Sequence, residues 1–190
     1  AALAVSADSL TAISGEGNLS ILDIDPIGTS SPGLIIQDAQ ASNGNVTVRS
    51  SGPVQVTRVI AASAGSVQLE SGGALVLAGT TALSAASGSL GEVSLIAAGL
   101  ITSGRFFTGS RRTEYRSGSA LTVGGSFSDG TPFIASPSHS PIATDALVLS
   151  SAESVRVEAA LQAGTAVTVR AGTSIDIRRL GTDEIGRAHV

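Results

Sequence analysis

The stretch GSVQLESGGALVLAG at residues 65–79 decides the fold. It holds two apolar pairs, Val67/Leu69 and Leu75/Leu77, whose members are two positions apart, and a Gly-containing turn at 71–73 separates them. Side chains two positions apart on a strand point to the same face. The stretch therefore predicts two short strands, each with one buried face, that are joined by a tight turn.

The same apolar pair recurs along the chain with short and long steps in alternation, apart from one interruption. A short and a long step together make a repeat of about 20 residues that holds two short strands, and such a repeat indicates a solenoid. We therefore predict an all-β, parallel β-helix whose rungs have this length. The pairs are Val46/Val48, Val54/Val56, Val67/Leu69, Leu75/Leu77, Val93/Leu95, Leu147/Leu149, Val155/Val157, Val167/Val169 and Ile175/Ile177.

The composition fits a narrow coil better than a globular core. Hydrophobic residues make up 42% of the chain but aromatic residues only 3%, and a β-coil has room inside for stacked aliphatic side chains. The alternative fold is a β-sandwich of short strands. A sandwich predicts hairpins at irregular spacing, so the regular repeat favours the β-helix.

Three segments carry a family resemblance: GNVTVRSSG at 44–52, the stretch at 65–79, and GTAVTVRAG at 164–172. They resemble the repeats of filamentous-haemagglutinin-like exoproteins, and the resemblance extends over residues 17–101 and 145–180. It implies a right-handed parallel β-helix within a long bacterial protein that is secreted or displayed on the cell surface. It also implies export through an outer-membrane transporter and an adhesive role.

The residues at both ends of the chain lead to a prediction about the boundaries of the fold. The chain starts at Ala1 without a Met, and residues 185–190 read IGRAHV, which resembles the translation of a common short-read sequencing adapter. We therefore expect 1–183 to be a fragment of a longer β-helix shaft and 184–190 to be a tail outside the fold.

The repeat breaks between residues 102 and 144, where we expect an inserted loop outside the coil. All five aromatic residues of the chain fall in this interval, together with several arginines. Loops inserted between rungs often carry a solenoid's binding surface, and arginine beside aromatic rings can stack on sugars. The loop is thus predicted to contact a glycan or a cell-surface receptor through Arg105, Phe106, Phe107, Arg111, Arg112, Tyr115 and Arg116.

The remaining composition argues against several classes of function. The net charge of -4 provides no basic field for nucleic acid, and no apolar run reaches the roughly 20 residues of a membrane span. We predict no cofactor and no metal site. Asp23 and Asp25 share one face of a strand and could hold calcium, but solvated alternates of an edge strand explain them better. His139 is a lone histidine in a Pro/Ser-rich segment.

These observations favour a structural or adhesive shaft over an enzyme. One alternative is a fragment of a carbohydrate-active β-helix, a lyase or hydrolase, which needs clustered charged residues on one rung face. Another is the scaffold of a secreted toxin or protease passenger. The rung faces carry mostly Thr, Ser, Gln and Ala, so no enzymatic activity is predicted.

Overall fold

The computed structural model describes residues 3–24, 33–78, 82–85, 91–103, 111–124, 146–157, 165–177 and 188–189. Strands account for the regular structure of these residues. None of the described residues belongs to a helix that is long and apolar enough to span a membrane.

The strands form two sheets whose members alternate along the chain. The first sheet contains, in spatial order, β1 (Leu3–Val5), β3 (Leu19–Asp23), β5 (Val46–Ser50), β7 (Val67–Ser71), β10 (Glu92–Ala97), β12 (Arg112–Ser117), β14 (Ala146–Ser151), β16 (Ala166–Ala171) and β18 (Ala188–His189). The second contains β17 (Ser174–Ile177), β15 (Ser154–Val157), β13 (Leu121–Val123), β11 (Ile101–Ser103), β8 (Leu75–Leu77), β6 (Val54–Ala62), β4 (Leu34–Ala41) and β2 (Ser9–Ser14), with β9 (Ala82–Ser84) paired to β6.

Apart from β8 and β9, which both belong to the second sheet, successive strands cross from one sheet to the other, and the strand pairs of the described residues are parallel. A chain that alternates in this way winds as a coil, with one strand of each sheet in every rung. The predicted all-β, parallel β-helix is confirmed. Its right-handedness stays a prediction from the family resemblance and from the preference of parallel crossovers.

The pairing register gives the length of each rung. Val93 pairs with Thr113 and Leu147 with Val167, which confirms the predicted repeat in these parts of the chain. Other rungs are longer, because Val67 pairs with Val93 and Thr113 pairs with Leu147. The extra residues lie between strands, so the coil keeps its register while the connections vary in length.

The interior is a stack of aliphatic side chains from both sheets. The predicted pairs from Val46/Val48 to Val155/Val157 are buried, with exposures of 0–2%. Outward alternates such as Thr47, Gln68 and Ser94 are half-buried. Burying a Val or Leu side chain fully contributes roughly 1.5–3 kcal/mol, so each rung supplies its own share of the stability. In a solenoid, each rung packs against its neighbouring rungs only.

Three strands in the amino-terminal half bend part-way along their length. Register shifts occur between Leu10 and Thr11 in β2 and between Ile36 and Asp38 in β4. The first part of β6 then pairs with β8 and its second part with β9. Because such irregularities bend a strand, the second parts of β2, β4 and β6 turn away from the direction of their first parts, and β9 pairs with the second part of β6.

The corner that leads from the first sheet to the second is stabilised by a ladder of serines. Ser50, Ser71, Ser117 and Ser151 share one register position, with Ala97 between Ser71 and Ser117. The serine oxygen accepts the N–H two residues later, and in three of the four rungs the hydroxyl donates to a carbonyl of the preceding rung. The N–H groups of Gly52, Gly73, Ser119 and Glu153 donate to the Oγ atoms of Ser50, Ser71, Ser117 and Ser151, respectively. The hydroxyls of Ser71, Ser117 and Ser151 donate to the carbonyls of Gly52, Gly99 and Ser119, respectively.

The opposite corner carries a shorter ladder in the amino-terminal half. The Oδ1 of Asn18 accepts the N–H of Asn45 at 2.9 Å, and the Oδ1 of Asn45 accepts the N–H of Ser66 at 2.8 Å. Ser66 Oγ continues the series by accepting the N–H of Glu92 at 3.0 Å. Backbone groups at the corners, which have no strand partner, are thereby satisfied by side chains of the preceding rung.

The expected inserted loop at 102–144 is wrong over much of its length. Residues 102–103 belong to β11, and 111–124 form a rung with β12 and β13, paired to strands on both sides. This rung was missed because its inward pair in the first sheet is Thr113 and Tyr115 rather than two aliphatic residues. The rest of the interval, 104–110 and 125–144, lies outside the described residues.

The expected tail at 184–190 is also corrected in part. Ala188–His189 forms β18 and pairs with Val169 and Arg170 of β16. An open sheet edge offers unpaired backbone groups to whatever segment reaches it, so even a short segment can extend the first sheet.

Candidate functional site

The predicted arginines lie on the outer face of the first sheet. Arg112 and Arg116 are outward residues of β12, because they alternate with the inward side chains of Thr113 and Tyr115. Arg111 directly precedes the strand. The structure therefore brings three of the seven predicted binding residues together on one solvent-facing surface.

Glu114 lies between the two arginines of β12 and contacts both. Its Oε2 is 3.1 Å from Nη2 of Arg112, and its Oε1 is 2.8 Å from Nη2 of Arg116. The Glu114 side chain is 15% exposed, whereas the two arginine side chains are 45% and 60% exposed. One carboxylate thus bridges two guanidinium groups at the surface, and each guanidinium has further N–H donors that are not used in this contact.

Further ion pairs extend the same charged face. Arg111 Nε is 3.9 Å from Oε1 of Glu92, which pairs in register with Arg112. Earlier in the same sheet, Arg49 Nε of β5 is 2.8 Å from Oε2 of Glu70 on the adjacent strand β7. The prediction from sequence missed both glutamates and Glu114. The alternation Arg112, Glu114, Arg116 at two-residue spacing is the signal that could have placed them on one face.

Tyr115 is not a surface residue, so its predicted contact with a ligand is wrong. Its side chain is 0% exposed and points into the coil, where its register neighbours are Leu95 and Leu149. A strand that presents arginines to solvent presents its alternate residues to the core. The predicted residues Arg105, Phe106 and Phe107 lie outside the described residues, as does His139.

Asp23 departs from the expectation of a solvated carboxylate. It is 2% exposed and occupies the register position of the serine ladder, next to Ser50, whose hydroxyl donates to Oδ2 at 2.6 Å. The other oxygen, Oδ1, is buried without a hydrogen-bond partner. In the described residues no group of three or more His, Asp or Glu lies together as a metal site would require. Asp25, the other half of the calcium hypothesis, lies outside the described residues.

We expect Asp23→Ser to stabilise the chain by about 1–2 kcal/mol, because it removes a buried carboxyl oxygen that lacks a donor and extends the serine ladder by one rung. Urea unfolding followed by circular dichroism measures the change. Glu16→Ser, which removes an exposed carboxylate in the turn after β2, is the control and should shift the free energy by no more than about 0.5 kcal/mol. A destabilised Asp23→Ser variant would show that the carboxyl group has a partner in solution.

The fold and the charged face together define a class of protein: a β-solenoid with an aliphatic interior and an arginine-bearing outer sheet. No protein-family model matches the chain, and no match is found among the curated proteins or among the solved structures.

Proposed function

We propose that this chain is a segment of the structural shaft of a secreted bacterial surface protein, and that the outer face of the first sheet near β12 contacts a glycan or a cell-surface receptor. The observation that carries the proposal is the unbroken parallel pairing of nine strands in the first sheet of the described residues. At about 4.8 Å per strand the sheet extends over roughly 40 Å.

The corners support the mechanical part of this proposal. Each rung is joined to the next by strand hydrogen bonds, and several rungs are also joined by the serine ladder, for example through the 2.8 Å bond from Ser117 Oγ to the carbonyl of Gly99. These bonds run along the axis of the coil, so a pull along the axis loads many of them at once. A solenoid built in this way suits a spacer that projects a binding region from a surface.

The adhesive part of the proposal rests on the exposed guanidinium groups of Arg111, Arg112 and Arg116. They stand on a rigid strand or directly before it, and such a support holds a binding surface more firmly than a loop does. Export through an outer-membrane transporter belongs to the same proposal and rests on the family resemblance.

Adhesion of beads coated with the purified full chain tests this function. We expect the beads to bind cells that display surface glycans and to lose binding when those glycans are removed enzymatically. The double variant Arg112→Ala/Arg116→Ala should bind less, while Arg58→Ala/Arg156→Ala, which removes the same charge from other parts of the coil, should bind like the parent chain. Saturable cleavage of a polysaccharide by the chain would overturn the shaft proposal in favour of an enzyme.

A further inference from the structure

The outer face of the first sheet continues beyond β12 as a floor of small side chains. In register with the outward residues of β12 lie Ala146, Val148 and Ser150 of β14, and then Ala166 and Thr168 of β16. None of these side chains is longer than valine. Among these described residues, no long side chain therefore stands between the arginines of β12 and Arg170 of β16.

Arg170 is the next outward residue of β16 after Thr168, and β18 pairs with β16 on its other side. It pairs in register with Ser150, which itself pairs with Arg116, so the two arginines lie in one row, two strands apart. This separation is about 10 Å between backbones. Arg170 is exposed, and no ion pair or hydrogen bond joins its side chain to another described residue.

The charges on this surface do not cancel. The arginine strip, defined as Arg111, Arg112, Arg116 and Arg170, carries four positive charges. The acids that contact it within the described residues are Glu92 and Glu114. The Arg111–Glu92 distance of 3.9 Å is long for a hydrogen-bonded pair. An excess of positive charge thus sits on one face of a chain whose net charge is -4.

We infer that the arginine strip binds an extended acidic polysaccharide that lies across β12, β14 and β16. Guanidinium groups pair well with oxyanions, and a flat open face suits a polymer better than the concave sites that hold small molecules. A single-stranded nucleic acid fits less well, because its bases stack on exposed aromatic rings and the one aromatic residue in the described part of the chain, Tyr115, is buried. The inference rests on the proposed adhesive function and specifies its ligand class.

Biolayer interferometry with the purified full chain tests the inference against four immobilised probes: polygalacturonate, dextran sulfate, neutral dextran and single-stranded DNA. We expect binding to polygalacturonate, dextran sulfate or both, and none to dextran. The two acidic probes separate carboxylate from sulfate recognition. The variant Arg116→Gln/Arg170→Gln should weaken the binding by at least about tenfold.

The control Arg58→Gln/Arg156→Gln removes two positive charges elsewhere on the coil and should bind within about twofold of the parent chain. Its comparison excludes a general effect of net charge. Circular dichroism of each variant verifies the fold. Equal losses in both double variants, stronger binding to DNA than to the acidic polysaccharides, or no binding to them would each overturn the inference.

The outcomes also separate this inference from the proposed function. If the coated beads adhere to cells through the cells' glycans but the chain binds neither acidic probe, the proposed adhesive function stands and the inference of an acidic ligand is refuted. A chain that binds the acidic probes through Arg116 and Arg170 without any adhesion would retain the ligand and refute the adhesive function.

Discussion

Tyr115→Ala is expected to lower the free energy of unfolding by about 3–5 kcal/mol, the range for truncation of a large buried aromatic side chain. Tyr115 is fully buried and is the bulkiest such side chain among the described residues. Its ring fills one layer of the coil between Leu95 and Leu149. Because neighbouring rungs are held at a fixed spacing by strand hydrogen bonds, the coil cannot collapse into the space that alanine leaves.

Arg116→Ala is the matched control, since it truncates the adjacent long side chain of the same strand. Arg116 is 60% exposed and its ion pair with Glu114 is at the surface, so the change should be no more than about 0.5–1 kcal/mol. Urea titration of both variants measures the difference. A Tyr115→Ala variant as stable as the parent chain would place this ring outside the core and return residues 111–124 to the predicted loop.

Gly118→Ala is expected to destabilise the chain by roughly 3 kcal/mol, the upper end of the usual cost of overpacking. A Cβ at this position would overlap the carbonyl group of Ala98 in the preceding rung, with 2.8 Å to its carbonyl carbon. The obstacle is backbone, which is fixed by the bond from the N–H of Gly118 to the carbonyl of Ala97. A flexible side chain could move aside, but this backbone cannot without breaking the corner.

The control for this substitution is Gly52→Ala in an equivalent turn. There the nearest atom to an added Cβ is Ser50 Oγ at 3.9 Å, which is ordinary contact. We expect a change of no more than about 1 kcal/mol in either direction. Thermal unfolding of the two variants side by side measures the effect. Equal stabilities would mean that neighbouring rungs are further apart at the corner than the structure places them.

Much of the fold could be predicted from the sequence because the coil buries one face of every strand. Pairs such as Val93/Leu95 and Val155/Val157 are buried as their two-residue spacing indicates. Rung length followed from the same pairs, since equivalent residues of neighbouring rungs pair in register in the regular part of the chain. The connections carry no such signal, because their length is not constrained by the stack.

The rung at 111–124 was not predictable from aliphatic pairs alone. Thr113 and Tyr115 point inward, and a search for Val, Leu and Ile on one face passes over them. A polar or aromatic residue can replace an aliphatic one in the stack when its polar group finds a partner inside, which a sequence pattern does not display. Asp23 is a second residue whose surroundings a sequence pattern does not display. Its inward position follows from Ile21 two residues earlier, but its burial in the serine ladder depends on Ser50.

The composition of the sequence identified the arginines, and the structure identified the surface on which they lie. Arg111, Arg112 and Arg116 were predicted as binding residues on a loop, whereas the strand β12 presents Arg112 and Arg116 and places Glu114 between them. Arg170 joins this group only through the register of β12, β14 and β16. Since Arg116 and Arg170 are far apart in the sequence, their proximity is a property of the coil and not of local sequence.

Engineered disulfides test the central claim, the parallel register of the rungs, most directly, because the chain contains no cysteine. Thr122 pairs with Arg156 across β13 and β15, and Arg156 pairs with Asp176 across β15 and β17. Adjacent strands are about 4.8 Å apart, within the Cα separation of about 4.4–6.8 Å that a disulfide spans. Strands two apart, at about 10 Å, are beyond that separation.

The measurement is the fraction of disulfide formed under mild oxidation, determined by mass spectrometry of the digested monomer. The account predicts that Thr122→Cys/Arg156→Cys forms the bond nearly completely and that Thr122→Cys/Asp176→Cys does not form it. Failure of the first pair, or equal oxidation of both pairs, would contradict the parallel β-helix and the rung that residues 111–124 form within it.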